Sequence, residues 1–520
     1  MRSLVLRMCA ALLFVTSAVA QRPPGRDHAN LGISLARERR LPEAERELRE
    51  AVRVAPAVAS YRAQLASILG LQGKWKESLT HFRKAIDLSP EDLDFRRETA
   101  AVEWQLGLMP AAEKNLRFVL ARQPADAGAI LLLGLVKERT GDYNTAAQLL
   151  ESQFQLVISQ PDRTVALFHS FSASGQHDKA SKIVDVLKLR AHDPGWTKAI
   201  SQCAQIAASN GNLATSQALF ALIPGNDSGR AAAGVSLAKL LYRRGQVPQA
   251  KQLLLQMAEH GVVSVDLQVL LANCFQSEHQ PFLAIKAYQR AIELEPKRID
   301  YYGELVLLLL DLGKMDDARA LVNRALAMAP NDAKPWLWKG HVNFRSHAYK
   351  DAIESYTHAG SLDRSNADAV LGIAAVHFIA GQTEAAIADY KAGIVRFPNE
   401  PRLYLAYAQT LLASPDAFEQ QATAKDLLQR AVKLAPQLAE AHYQLGQLAM
   451  RQNRLSDAEG ELLLSLQSAP DQSKVHFALA TVYRRMGRTE NATKQFAMYQ
   501  ELKQAEESGR QSAMIPAEKQ

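Results

Sequence analysis

Prolines 56, 90 and 124 stand 34 residues apart, as do 296 and 330, and 436 and 470; Pro398 follows Pro330 by two such steps. This spacing constrains the fold more than any composition does. A unit of that length cannot bury a core alone and must stack on its neighbours. Each proline closes a phrase of one kind: "HFRKAIDLSP" ends at Pro90, "AYQRAIELEP" at Pro296, "LLQRAVKLAP" at Pro436. Proline bars continuation of a helix and pushes the preceding residue out of the helical region, so each phrase reads as a helix stop.

Counting back from the prolines gives a fixed pattern of sizes. Twenty-four residues earlier falls a small residue (Gly32, Ala66, Ala100, Ala272, Gly446), and twelve earlier another (Ala44, Ser78, Ala112, Ala284, Ala318, Ala458). Eight earlier is a large apolar group, such as Leu48, Phe82, Leu116, Tyr288, Val322 or Leu462, and five earlier is small again, as at Ala51, Ala85, Ala291, Ala325 and Ala431. Each period therefore holds two apolar-periodic stretches of about a dozen residues, which predicts a pair of short helices. Small residues on the facing sides let the two axes approach closely.

Between the two stretches a glycine recurs in register, at 73, 107, 141, 175, 211, 245, 313, 381 and 487. A left-handed residue ends the first helix there, and His279, His347 and Asn453 take the same place where glycine is missing. Both histidines are accordingly turn residues and not ligands.

This pattern resembles the tetratricopeptide repeat family, whose unit is a helix–turn–helix of 34 residues, and the resemblance runs from about residue 25 to 500 in about fourteen copies. It implies an all-α, right-handed superhelical solenoid of stacked repeats. The organisation reads as four repeats over 25–160, three degenerate ones over 161–262, seven over 263–500, and a helix end with a disordered tail over 501–520. In the degenerate block the proline stops fall out of place, and "IPGNDSGRAAAG" over 223–234 is glycine-rich. Two readings stand: a flexible joint that proteases would cut near Gly225 to Gly229, or sequence drift in repeats that still stack. Pro398 and Pro436 lie 38 apart, which places four extra residues in the turn around "ASPDAFEQQAT".

The first twenty residues are of another kind. Arg2 and Arg7 precede a short apolar stretch, and Ala18-Val19-Ala20 precedes Gln21, the pattern of a cleaved secretory leader. The chain is therefore expected to be exported, periplasmic or secreted. No run of 18 apolar residues suits a membrane span. The formal net charge of +7 includes Arg2 and Arg7, and the remaining charges are interleaved, so no nucleic-acid surface is expected. Beyond the leader only Cys203 and Cys274 remain; they read as small apolar residues about two repeats apart, which disfavours a disulfide.

No metal, phosphate-loop or nucleophile motif is present, so neither catalysis nor a cofactor or metal is expected. What the family resemblance implies instead is a binding face built from the first helices, one residue after the small position being a frequent contact. In the early repeats these are Ile33, Ser67, Ala101 and Leu135; the candidate partner-binding residues are His169, Gln205, Lys239, Asn273, His341, Gln409, Gln447 and Thr481, with Leu307 and Ala375 between them. A clamp of lysines, asparagines and arginine for a terminal carboxylate, known in some relatives, is not found in this register. Trp336 falls on a core position and Trp338 off it, so Trp338 is expected to be exposed. The reading is a non-catalytic protein-interaction scaffold that docks a peptide segment or partner helix, in envelope assembly or secretion. Its rival is an accessory role in polysaccharide or glycan synthesis or export, which would call for exposed aromatic platforms.

Overall fold

A computed structural model of the chain describes residues 24–225, 227–414 and 418–514; the expected secretory leader lies outside the described residues. The described residues form helical pairs without a strand, from Arg26–Arg37 with Leu41–Val54 to Ser473–Arg485 with Thr489–Met514. Fourteen such pairs are present among the described residues; up to Arg243 and again from Val247 on, helices pack on their partners and on the next pair, as in a solenoid. The chain divides into two compact units between Gly245 and Gln246, inside the turn of the seventh pair.

The stops and turns act where the sequence places them. Second helices end at Val54, Leu88, Arg122, Leu294, Met328, Arg396, Leu434 and Ser468, each two residues before its proline. The in-register glycines all have positive φ, from 71° to 84°, and His279, His347 and Asn453 share that conformation at 56–57°. Arg39 does the same in the first pair, at 63°. The residue after each of these except Gly245 donates its N–H five positions back, as Lys74 does to Leu69 and Ala348 to Asn343, which closes the exposed helix carbonyls. In the seventh repeat Gly261, with φ 81°, ends the second helix by the same bond from Val262 to Met257, replacing the missing proline stop. The four extra residues also fall as expected: helix Pro401–Ala413 is followed by Gln421–Leu434, a longer connection than the three residues between, for instance, Ala59–Leu71 and Trp75–Leu88.

The size pattern is the core. Ala44, Ala112, Ala284, Ala318 and Ala458 are fully buried, as are Leu48, Phe82, Leu116, Tyr288 and Leu462. Small and large positions meet directly: a Cβ on Gly32 would come within 2.7 Å of Leu48, and one on Gly446 within 2.8 Å of Leu462. Where serine replaces alanine, Ser78 and Ser216 give their hydroxyls to the carbonyls of Ala66 and Ala204.

A second device is tied to the prolines. Six residues beyond each of seven prolines, a side-chain donor binds that proline's carbonyl: Arg62 and Arg96 through Nε at 2.8 Å, Tyr302, Trp336 and Tyr404 at 2.9–3.0 Å, and His442 and His476 through Nε2 at 3.0 Å. It fastens the start of one pair to the end of the last. Replacing the buried Tyr404 by phenylalanine removes one such bond, and chemical denaturation should register a loss of about 1 kcal/mol.

The degenerate stretch up to Gly245 is packed. First helices Pro161–Ala173, Thr197–Ser209 and Ser228–Arg243 lie directly against one another. The small face that permits this includes Gly229, whose carbonyl accepts the Ser201 hydroxyl at 2.7 Å and whose absent Cβ would meet that side chain at 2.9–3.0 Å. Within the glycine-rich stretch, Asp227 caps the start of helix Ser228–Arg243. At the other end the last helix runs on to Met514, past Gly509 where a disordered tail was expected; residues 515–520 lie outside the described residues.

Candidate functional site

In the N-terminal unit the first helices Leu93–Gln105, Ala127–Arg139, Pro161–Ala173 and Thr197–Ser209 leave a cleft of about 450 Å³ between them. Leu135, Val165, Ala166 and Ala199 give it an apolar floor. Trp104 forms one wall; it is 5 % exposed, and its Nε1–H is buried without a hydrogen-bond acceptor. Arg139 lies over the indole, 5.7 Å from the ring centroid, and donates to the Trp104 carbonyl. The rim holds Glu138, Gln160, Arg163, Lys198 and Gln202.

Two of the sequence-predicted face residues meet here. Leu135 is in the floor, and His169 sits beside it with Nδ1 2.6 Å from Glu138 and its ring against Tyr143. Gln205 donates to Ser201, and Lys239 is exposed. Ser67 and Ala101, expected on the same face, are completely buried; Ser67 spends its hydroxyl on the Ala63 carbonyl.

In the C-terminal unit the predicted residues are mostly engaged within the chain. Asn273 Oδ1 accepts from the Tyr288 hydroxyl at 2.7 Å, and His341 Nδ1 lies 2.8 Å from the Tyr356 hydroxyl. In both cases the predicted contact stands fifteen residues before a buried tyrosine and serves its hydroxyl. Burial accordingly holds His341 below the usual imidazole range. Gln409 reaches Glu440, Thr481 bonds the Phe477 carbonyl, and Gln447 is half-buried. Trp336 is half-buried against the core as well as bonded to Pro330. Trp338 is not the exposed residue its register suggested: it is half-buried, packed on Gly303, where a Cβ would lie 2.5 Å from its ring.

Sequence comparison adds the family. Models described as tetratricopeptide repeat match residues 30–92, 64–114 and 98–153, and again 277–337 and 417–482. The chain is a tetratricopeptide repeat protein. Among curated relatives, a small glutamine-rich tetratricopeptide repeat-containing protein 2 of Mycosarcoma maydis is 33 % identical over 92 residues, 18 % of this chain and 26 % of its own length. A human protein O-mannosyl-transferase TMTC3 is 22 % identical over 194 residues, 37 % of this chain and 21 % of its own. The chain thus spans about a quarter of the length of the curated relatives it matches. Among solved structures, yeast Tom70 aligns over 94 % of this chain and 95 % of its own, at 15 % identity and a TM-score of 0.43.

Tetratricopeptide repeats indicate a protein-interaction scaffold, and their fold is typically non-catalytic. Among the described residues, no group of three His, Cys, Asp or Glu side chains is placed to hold a metal ion, and no helix is long and apolar enough to cross a membrane. Cys203 and Cys274 are free, buried thiols. Burial pushes the Cys274 thiol up to about 11 and raises that of Cys203 further. Since the thiolate is the reactive form, a colorimetric thiol reagent at pH 8 should find both cysteines silent in the native protein and both reactive after denaturation.

Proposed function

We propose that this tetratricopeptide protein is an exported, non-catalytic scaffold that docks an extended segment of a partner protein along its first-helix face. The observation that carries the reading is the cleft between Trp104, Leu135 and Ala199, where first helices of consecutive repeats leave apolar floor and hydrogen-bonding rim side by side. An extended peptide needs both: pockets for alternate side chains and partners for its backbone. Affinity then comes from several modest contacts along the face. The leader-like residues 1–20 support export, and with it a partner in envelope assembly or secretion. A glycan would call for open aromatic platforms, whereas the indole in this cleft is almost wholly buried.

The test is crosslinking of the tagged protein in its native cells, followed by mass spectrometry of what is captured. One reproducible protein, joined through residues near Leu135, His169 or Lys198, is the expected result. Capture of glycan without protein, or crosslinks scattered over both helix layers, would overturn it.

A further inference from the structure

The unpaired charges on the first helices of the C-terminal unit are sorted by sign along the unit. We infer that the last two of these helices, Ala439–Arg451 and Ser473–Arg485, form a docking face for an acidic partner segment in which an apolar side chain precedes the carboxylates. The inference rests on the scaffold reading above and adds a partner chemistry at a place of its own in the C-terminal unit.

The face follows the register of the N-terminal cleft. Counted from the first helical residue, Tyr443 and Phe477 stand fifth, Gln447 and Thr481 ninth, and Arg484 twelfth. In the cleft the same places are taken by Val165, by Leu135, and by Trp104 and Glu138, all of them lining residues. The two helices touch each other directly. Phe477 is 49 % exposed and leans on Tyr499, with ring centroids 5.2 Å apart, so it offers an apolar surface already held in place. Gln447 is half-buried, and its amide has no hydrogen-bond partner among the described residues, which leaves it for a peptide backbone.

Charge is cancelled at one edge of this face and in surplus at the other. Where the helices begin, Lys474 is paired with Glu440 and lies 4.7 Å over the Tyr443 ring. Where they end, Arg451 and Arg484 are exposed, and neither has a carboxylate partner among the described residues. The carboxylates in the turns beyond are taken, Asp457 by Arg454 at 2.6 Å and Glu459 by Arg488 at 2.9 Å. Glu490, exposed in the first turn of the last helix, is a single charge against those two arginines. The helix-end carbonyls are served as well, by the N–H groups of Arg454 and Arg488 and by the Arg485 guanidinium.

Arg484 lies two turns beyond Phe477 in the same helix, about 10 Å along its axis, which an extended segment spans in about three residues. A leucine on Phe477 thus brings carboxylates a few places later to the arginines. At the other end of the same unit the first helices expose Asp266, Glu304 and Asp311, so an acidic segment is repelled there and drawn to the last two repeats.

The probe is a short rhodamine-labelled peptide with blocked ends, Leu-Gly-Ser-Glu-Glu in a Gly/Ser background, beside counterparts ending in Gln-Gln and Lys-Lys. Binding to the full chain is followed by fluorescence anisotropy. At low salt the Glu peptide should bind about tenfold tighter than the Gln peptide, and the gap should close at about 0.5 M salt. The double reversal R451E/R484E should abolish that preference. R430E/K433E makes the same change of charge at exposed positions of the second helix Gln421–Leu434, and should keep it. F477A should weaken the Glu peptide about fivefold, the worth of one apolar contact. If F477A fails to fold, the two surface reversals decide alone. Equal binding of the Glu and Gln peptides, an R451E/R484E protein that keeps the preference, or an R430E/K433E protein that loses it would each overturn the docking face. None of these results touches the scaffold reading, which falls separately if the chain captures no protein in the cell.

Discussion

Gly340→Ala will destabilise the tenth repeat by about 1–3 kcal/mol, although alanine is the better helix former. Gly340 lies in helix Ala333–Arg345 against the ring of Tyr356, and an added Cβ would stand 2.4 Å from that ring. The ring cannot retreat, because a Cβ on Gly372, from the next repeat, would already be 2.7 Å from it, and its hydroxyl is fixed 2.8 Å from His341. Gly372→Ala should act alike for the same reason. The opposite sign is expected at Gly460, in helix Leu455–Ser468, where nothing lies within 4 Å: there alanine should stabilise by up to about 1 kcal/mol. Repeat arrays open locally, so hydrogen exchange over residues 333–379 is the proper readout. Unchanged protection there in Gly340→Ala would mean that the Tyr356 contact is looser than described.

Tyr288→Ala should cost more, about 3–5 kcal/mol, because a fully buried aromatic side chain leaves a cavity between two repeats. Tyr288→Phe separates packing from hydrogen bonding. The hydroxyl lies 2.7 Å from Asn273 Oδ1 and 3.0 Å from Gln276 Oε1, and its removal should cost about 1–2 kcal/mol. Denaturant titration of the two variants gives both numbers. A phenylalanine variant as stable as the native chain would show that Asn273 and Gln276 are served by water, which would return Asn273 to the pool of partner contacts.

The fate of Asn273 and His341 shows where sequence reasoning reaches its end. Both stand on the correct helix at the correct register, and both are used on a tyrosine hydroxyl fifteen residues later. A signal existed: a polar residue at that offset before a tyrosine in a buried position. It is absent at Tyr390, whose counterpart is Ala375, and there the hydroxyl is served by Thr410 instead. The bonds to the proline carbonyls were legible too, as Arg, Tyr, Trp or His recurring six residues after a proline; Pro124 breaks the rule with Ile130. Nothing in the sequence marks Trp104 as a cleft wall.

The sequence, through its 34-residue period, by itself determined the repeat unit, its helix ends, its left-handed turns and its small-to-large packing, including the substitution of His279, His347 and Asn453 for glycine. Those features follow from steric and hydrogen-bonding rules that act within one turn or one hairpin. Only the tertiary structure decided which polar residues of the first helices are spent internally, that Trp338 is covered by packing on Gly303, and that a cleft opens among Trp104, Leu135, Val165 and Ala199. Those outcomes depend on how closely successive first helices approach, and that distance is set by side chains one to three repeats away.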